Sequence, residues 1–441
     1  MANFSLKFKR GLLICGDILL LYSSLFFTLK LRFGEQFNLK IWQDHFLPFT
    51  FLYIFWIIIF YIFGLYNLVL AKNDLEFWSA ISKSFILCAF IGLAFFYLFP
   101  SFGIAPKTII FLNLILFFIL FILWRQAFNI LIKLPGFYKN IVIIGKNDQT
   151  AELKKYIDSN PQLGYKIIDI LDPEKEKLEG VAKNYQDFTI ITPFNKYPEI
   201  TKYLYQHLTS IDFEDFITFY EKITNKIPLS QIDEAWFLNN PKEREMEFYE
   251  KIKRFFDFLM GIILAIIMII LFIPVVLAIK INSPGPVFYT QKRVGKNGKI
   301  FNLIKFRSMI QNAEKNEAVW SDKNDPRITK IGKILRKTLI DELPQSINIL
   351  KGEMSLIGPR PERPEFVEKL EKEIPFYQAR HLIKPGLTGW AQVNYKYGNT
   401  IKDAQEKLQY DLFYLKNRSI ILDLKIILKT INVAFKGGTQ Q

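Results

Sequence analysis

The chain has 441 residues, 50% of them hydrophobic and 16% aromatic, and a formal net charge of +15. With 2 Cys and 3 His, a disulfide framework and a Cys/His zinc site are excluded, so any catalytic metal must be a hard ion held by oxygen. The positive excess points to anionic partners such as lipid headgroups, nucleotides or nucleic acid, and the length suggests about three units if the apolar excess lies in a membrane.

Four long apolar runs open the chain, over residues 11–27, 46–66, 84–99 and 108–123. A helix needs about 20 mostly apolar residues to cross the hydrocarbon, so all four are read as spans. Lys7, Lys9 and Arg10 precede the first run, as in a signal peptide. No small-x-small cleavage site follows, however, and the run passes straight into "LKLRFG", so it is read as retained. Arg125, Lys133 and Lys139 after the fourth run place both ends of the bundle in the cytoplasm, while Lys30, Arg32 and Lys40 in the first loop pull the other way. Asp17 and Lys83 lie within or beside spans, where a charge is a functional group, a helix-packing contact or an interfacial snorkeler.

From Lys139 the composition turns soluble. "NIVIIG", "YKIIDILD", "FTIITPF" and "IDFEDFITFY" read as strands, and "AELKKYIDSN" as a helix, a rhythm that predicts a small Rossmann-like sheet. The turn after the first strand, "GKNDQTAE", has one glycine where a dinucleotide fingerprint needs three, so the domain is read as degenerate, without a working cofactor loop.

A fifth apolar run, "FFDFLMGIILAIIMIILFIPVVLAIKINSPGP", has an uncharged core near the lower limit for a crossing. It contains Pro274, which removes a backbone donor, and has Lys251, Lys253 and Arg254 before it and Lys280 after it. A re-entrant helix over about 252–280, broken near Pro274 and returning to the same face, satisfies these features. Gln441 would then lie inside the cell.

Beyond it, two alternating runs flank Lys296-Asn297-Gly298, the strongest short hairpin signal, because Asn and Gly both tolerate positive φ. This hairpin carries Gln291, Lys292, Arg293, Lys305 and Arg307; taken alone, such a basic ribbon reads as a solvated face or a headgroup contact. In "LIGPRPERPEF", Pro359 and Pro361 restrict the backbone around Arg360, presenting a guanidinium suited to phosphate. In "KPGLTGWAQVNY", Trp390 is available to pack or to stack. "RKTLIDELPQ" sets Asp341 beside Glu342, with Pro344 following. By itself this pair is an acidic helix start, which is also a place where backbone N–H groups suit a phosphate.

Taken in order, "SPGPVFYTQKRVGKNGKIFNLIKFRSM", "LRKTLIDELPQ", "GEMSLIGPRPE", "KPGLTGWAQVNY" and "LDLKIILKT" resemble the bacterial sugar transferase family, the monotopic polyprenyl-phosphate phosphoglycosyl transferases. With four spans and a degenerate Rossmann-like domain ahead of them, the chain is similar to the large-architecture branch. The resemblance implies an α/β membrane protein with a four-helix transmembrane region at 1–135, a degenerate Rossmann-like domain at 136–240, and a monotopic catalytic domain at 241–441 containing the re-entrant helix. It implies transfer of hexose-1-phosphate from a UDP-sugar to undecaprenyl phosphate with loss of UMP; UDP-glucose or UDP-galactose is the expected donor, no motif reads the sugar, and UDP-N-acetyl sugars stay open.

Under the resemblance, Asp341 is the nucleophile and Glu342 its partner; Lys305, Arg307, Arg336 and Arg360 hold substrate phosphates. Mg²⁺ is the cofactor, with Asp341 and Glu342 as its candidate ligands. Glu342 could bind metal, orient substrate or handle a proton. "TLIDE" departs from the family's common "TSLDE" by placing Leu339 where a small polar residue stands. The resemblance further implies the bacterial inner membrane, with the catalytic domain on its cytoplasmic face and membrane lipids around it. No nucleic-acid module is visible, and a homodimer is compatible with the layout. Two other readings compete: a membrane-bound nucleotide-sugar dehydratase or epimerase, and a non-enzymatic polysaccharide-assembly scaffold. The first needs a glycine fingerprint that is missing and a Tyr-x-x-x-Lys pair beside it, whereas the only such spacing noted is Tyr249 to Lys253. The second leaves the acidic pair and the Pro-Arg-Pro turn without purpose.

Overall fold

The computed structural model describes residues 6–72, 74–98, 107–132, 138–172, 188–206, 212–240, 246–311, 313, 325–395, 398 and 400–435. They belong to two compact units, 1–216 and 217–441.

In the first unit the apolar runs become helices α1 (Leu6–Phe33), α2 (Leu39–Ile62), α3 (Leu75–Leu98) and α4 (Lys107–Leu131), each longer than its run and each apolar enough to cross a membrane. Their interior holds Trp56, Phe60, Phe117 and Phe121, all fully buried. It also holds charge. Arg125 lies inside α4 rather than after it, where Nη2 meets Asp17 Oδ2 at 2.5 Å and Nη1 donates to the Leu65 carbonyl at 2.9 Å. Both side chains are buried, so Arg125 does not count toward the cytoplasmic flank assigned to it from sequence, and Asp17 is a helix-packing contact. Lys133 lies outside the described residues, Lys139 pairs with Asp212, and Lys83 stands on an exposed face of α3.

Next come β1 (Lys139–Ile144), α5 (Asp148–Asp158), β2 (Tyr165–Leu171), β3 (Thr189–Thr192), α6 (Pro198–Gln206) and β4 (Asp212–Asp215). The four strands form one parallel sheet in the order β2-β1-β3-β4. The fourth is shorter than its apolar run. Phe216, Phe219, Tyr220 and Ile223 recur at helical spacing, and the chain continues as α7 (Phe216–Thr224). Gly145 ends β1 at φ +107, with the Tyr197 ring packed over it.

The second unit contains the rest of α7, then α8 (Glu234–Asn239) and α9 (Glu247–Asn282). Its division from the first unit falls ahead of the compositional boundary near residue 240, because Ile217, Ile227, Ile232 and Trp236 join a core with Leu408, Leu412 and Trp390. Helix α9 is continuous for 36 residues, about 54 Å at 1.5 Å per residue, and runs through Pro274 as helix. No break in helical structure marks the turn expected there. Proline removes one hydrogen bond, which a long helix in an apolar medium tolerates. Only 11% of its most apolar window is buried, so most of this surface needs an apolar medium.

After α9 come β5 (Phe288–Val294) and β6 (Ile300–Phe306), paired as the expected hairpin, with Asn297 and Gly298 at φ 54 and 74. The remaining elements are α10 (Lys330–Lys337), α11 (Gln345–Lys351), β7 (Ser355–Ile357), α12 (Pro364–Glu373), β8 (Gly386–Thr388), α13 (Trp390–Asn394), α14 (Ile401–Asn417) and α15 (Ile420–Phe435). Strands β7 and β8 pair in parallel and join the "LIGPRP" and "KPGLTG" segments. Gly358, Gly386 and Gly389 allow that approach, since a Cβ on any of them would meet the backbone of the other segment.

Candidate active site

Asp341 and Glu342 lie in a single 3₁₀ turn, Ile340–Glu342, ahead of α11. The chain enters it through Leu339, whose φ of 58 and ψ of 14 are left-handed. A leucine there costs about 1–2 kcal/mol, a local strain that the surrounding packing must hold. Ile340 and Leu343 pack beside Phe306, Leu335, Val275 and Ile279, which pin the turn between β6, α10 and α9. The two carboxylates are therefore buried, at 2% and 6% exposure.

Their environments differ. Glu342 Oε1 accepts from Lys305 Nζ at 2.7 Å and from Arg360 Nη2 at 3.0 Å. Burial alone would raise the Glu342 pKa, but the two cations outweigh it and bring the carboxyl down to about 2. Asp341 has no such clamp: its Oδ1 is buried without a hydrogen-bond partner. Burial, with repulsion from Glu342, pushes its carboxyl above the ordinary range, against the pull of Lys305, Arg336 and Arg360. The two adjacent carboxylates are thus driven apart, Glu342 toward easier ionisation and Asp341 toward harder ionisation.

Of the cations expected around the pair, Lys305 and Arg360 contact Glu342 directly. Arg336 donates from Nε to Ser308 Oγ at 2.9 Å, and its charge reaches Asp341. Arg307 is placed elsewhere. Its Nη1 and Nη2 each lie 2.6 Å from a carbonyl, of Pro284 and Ser283 respectively, where it closes the C-terminal end of α9. Trp390 is buried, donates to the Asn225 carbonyl at 3.1 Å and stacks on Phe413, so it packs rather than offering an open stacking face.

Several positioning roles were not read from the sequence, where Arg293 stood only as part of the basic hairpin. Arg380 donates from Nη2 to the Arg360 carbonyl at 2.9 Å, and Arg293 from Nη1 to the Pro361 carbonyl at 2.9 Å, so the Pro-Arg-Pro turn is held from both sides. Asn348 on α11 accepts from Ile304 N and donates to the Asn302 carbonyl, tying the helix after the pair to the strand that carries Lys305. Arg254 on α9 donates to the Ile349 and Leu350 carbonyls at the end of α11. Asp257, one turn on, accepts from Ser355 Oγ and Leu356 N at the start of the arginine turn. A lone acid inside "FFDFLMG" was a visible signal for Asp257. Arg254 read only as a flanking cation, and nothing marked Arg380 or Asn348.

Among the described residues no group of three or more His, Cys, Asp or Glu could hold a metal ion. Mg²⁺ does not need such a group, because it binds through one or two carboxylates together with substrate phosphates and water. The partnerless Asp341 Oδ1 suits that mode.

Residues 248–437 match the protein family described as Bacterial sugar transferase. A relative from Aeromonas hydrophila, a UDP-N-acetylgalactosamine-undecaprenyl-phosphate N-acetylgalactosaminephosphotransferase, is 49% identical over 182 residues, 40% of this chain and 43% of its own length. A UDP-glucose:undecaprenyl-phosphate glucose-1-phosphate transferase from Escherichia coli (strain K12) is 42% identical over 182 residues, 40% of this chain and 39% of its own. The match thus spans about two fifths of the length of these relatives. A protein of the same description from Caulobacter vibrioides is 38% identical over 181 residues, 41% of this chain and 68% of its own length.

Proposed function

Since the chain belongs to the bacterial sugar transferase family, we propose that it is a membrane enzyme that moves a sugar-1-phosphate from a UDP-sugar to undecaprenyl phosphate, releasing UMP. The observation that carries this reading is the asymmetry of the pair: Glu342 neutralised by Lys305 and Arg360, beside Asp341 with a buried, partnerless oxygen.

The ionised Asp341 carboxylate attacks the sugar-bearing phosphorus of the UDP-sugar. A P–O bond to the bridging oxygen breaks, its electrons leave with UMP, and an aspartyl phosphosugar forms. A phosphate oxygen of the polyprenyl phosphate then attacks the same phosphorus. The acyl–phosphate bond breaks, the carboxylate is returned, and the lipid diphosphosugar departs. Neither step requires a base once Asp341 is ionised. Lys305, Arg360 and Arg336 supply fixed positive charge where the diphosphate gathers negative charge. Glu342 holds two of these cations in place. A bound Mg²⁺ would add Lewis-acid neutralisation of the phosphates, with Asp341 Oδ1 as the protein oxygen that fits it.

The names of the relatives support a hexose or N-acetylhexosamine as the sugar. The initiating step of a surface polysaccharide or glycoconjugate is the setting such chemistry serves, with the catalytic unit on the cytoplasmic face of the bacterial inner membrane. The test is UMP release by purified protein from a panel of UDP-sugars with undecaprenyl phosphate and Mg²⁺. Turnover of one UDP-sugar, with Asp341→Asn inactive, supports the route. Activity retained in Asp341→Asn ends the covalent intermediate, and no release from any UDP-sugar ends the reaction assignment.

A further inference from the structure

A second cationic site lies apart from the acidic pair. A cavity of about 400 Å³ opens beside the first three turns of α9, lined among others by Glu250, Arg254, Asp257, Lys384, Tyr414 and Arg418. None of Lys305, Arg336, Asp341, Glu342 or Arg360 lines it.

The acids in and around this cavity are already engaged. Glu250 receives Arg418 Nη1 at 2.6 Å, and Asp257 receives Ser355 Oγ and Leu356 N. Asp423 receives Tyr249, Tyr414 and Lys253. The cations are not used up in this way. The Arg418 side chain is 2% exposed, and its Nη2 is buried without a hydrogen-bond partner. Lys384 has no hydrogen-bond or ion-pair partner among the described residues, and its ammonium stands close to the Arg254 guanidinium over Gly352. Burial and the Arg254 charge push its pKa below the ordinary lysine value. Asp257 and Glu250 offset part of this charge, yet the half-buried Lys384 ammonium and the buried Arg418 Nη2 keep hydrogen-bonding capacity that an anion in the cavity would use.

The setting of the cavity identifies the class of anion. Along α9 the charged stretch from Glu247 to Arg254 gives way at Phe255 to an exposed apolar surface that includes Phe256, Phe258, Leu259 and Ile262. Ile420, Ile421 and Leu424 of α15 add exposed apolar surface, and the Lys253 and Tyr249 contacts to Asp423 hold α15 against α9 at this level. A ligand that places a phosphate on Lys384 and Arg418 therefore meets apolar surface on both neighbouring helices. We propose that this cavity holds the headgroup phosphate of an anionic membrane phospholipid, with its acyl chains along α9 and α15. A resident phospholipid fits better than the polyprenyl phosphate, because substrate phosphate must reach Asp341 and no group around Asp341 lines this cavity. Arg254 links the two places. It lines the cavity and holds the last carbonyls of α11, the helix that begins just after the acidic pair.

The test is native mass spectrometry of the detergent-purified full chain after exchange with phosphatidylglycerol, undecaprenyl phosphate or uncharged diacylglycerol. Wild-type protein should retain phosphatidylglycerol over diacylglycerol. Lys384→Gln should weaken that retention by about tenfold, the loss of one charge-assisted hydrogen bond, while Lys384→Arg restores it and Lys372→Gln, on the exposed face of α12, leaves it unchanged. Equal retention by wild type and Lys384→Gln, or equal retention of diacylglycerol, overturns the site. Exclusive retention of undecaprenyl phosphate overturns the phospholipid assignment. Binding is read directly, so the outcome does not depend on which reaction the acidic pair performs.

Discussion

Lys305 donates from Nζ to Oε1 of Glu342 across 2.7 Å, joining the second strand of the hairpin to the turn that carries both carboxylates. Because Arg360 shares the same oxygen, Glu342 fixes the spacing of two cations around Asp341. Glu342→Gln should keep the shape but leave those cations without their counter-charge. UMP release should fall about 100-fold, within the range seen when one preorganised electrostatic partner is removed. A variant within threefold of wild type in a UMP-release assay would place Glu342 outside the reaction.

The raised Asp341 pKa sets an acid limb. The carboxylate is the attacking form, so kcat/KM should rise with pH through a midpoint above the ordinary Asp value of about 3.9. Lys305 is the strongest of the cations opposing that rise, so Lys305→Gln should move the limb to higher pH as well as lowering the plateau. A kcat/KM–pH series on both proteins reads the shift. Glu342 has the opposite sign for stability. Its folded pKa of about 2 lies below the ordinary 4.5, so its contribution is full above about 4.5 and is lost as pH falls toward 2.

Leu339 holds a left-handed backbone that leucine disfavours. Leu339→Gly should be neutral or stabilising by up to about 1 kcal/mol, while the β-branched Leu339→Val should destabilise by a similar amount or more. Thermal unfolding of the detergent-solubilised variants reports the order. Equal loss in both would mean that the side-chain contacts of Leu339 outweigh its backbone.

Arg380 and Asp411 form a buried pair at 2.9 Å behind the Arg360 turn. Arg380→Met should cost about 3–5 kcal/mol, because Asp411 remains buried without its cation, and the Arg380→Met/Asp411→Leu double variant should recover much of that loss. Thermal unfolding separates the two. If only the arginine turn matters, UMP release in the double variant stays low after its stability returns.

In the helix bundle, Asp17→Asn should leave Arg125 charged and buried, with an expected loss of about 3–5 kcal/mol. Limited proteolysis in detergent should then cut α1 or α4 earlier than in wild type. Unchanged protection would show that the Leu65 carbonyl and the Phe121 ring suffice to hold Arg125.

Features carried by local pattern were legible in the chain. Apolar length marked the helices of the bundle, β-rich runs marked the four strands of the parallel sheet, and Asn297-Gly298 marked the hairpin turn, because each follows from the residue's own backbone preference or from a run of neighbours. The motif order also brought Lys305, Arg360 and Glu342 into one expected site, and these three do meet. Arg307 shared a motif with Lys305 yet closes the end of α9 instead, because it lies just past the end of β6, where its guanidinium meets the Ser283 and Pro284 carbonyls.

The sequence by itself determined where the chain turns, which segments need an apolar surrounding, and that Asp341 stands beside Glu342. Tertiary structure alone decided that the two acids differ. How readily each carboxylate ionises depends on burial and on cations from β6 and from the proline-flanked turn, residues 37 and 18 positions away from Glu342 along the chain. It likewise decided that Arg125 faces Asp17 across 108 positions, and that Arg254 and Asp257 tie one long apolar helix to both halves of the site. Local patterning reflects short-range conformational energies, whereas electrostatic environment sums over neighbours that only the folded chain assembles.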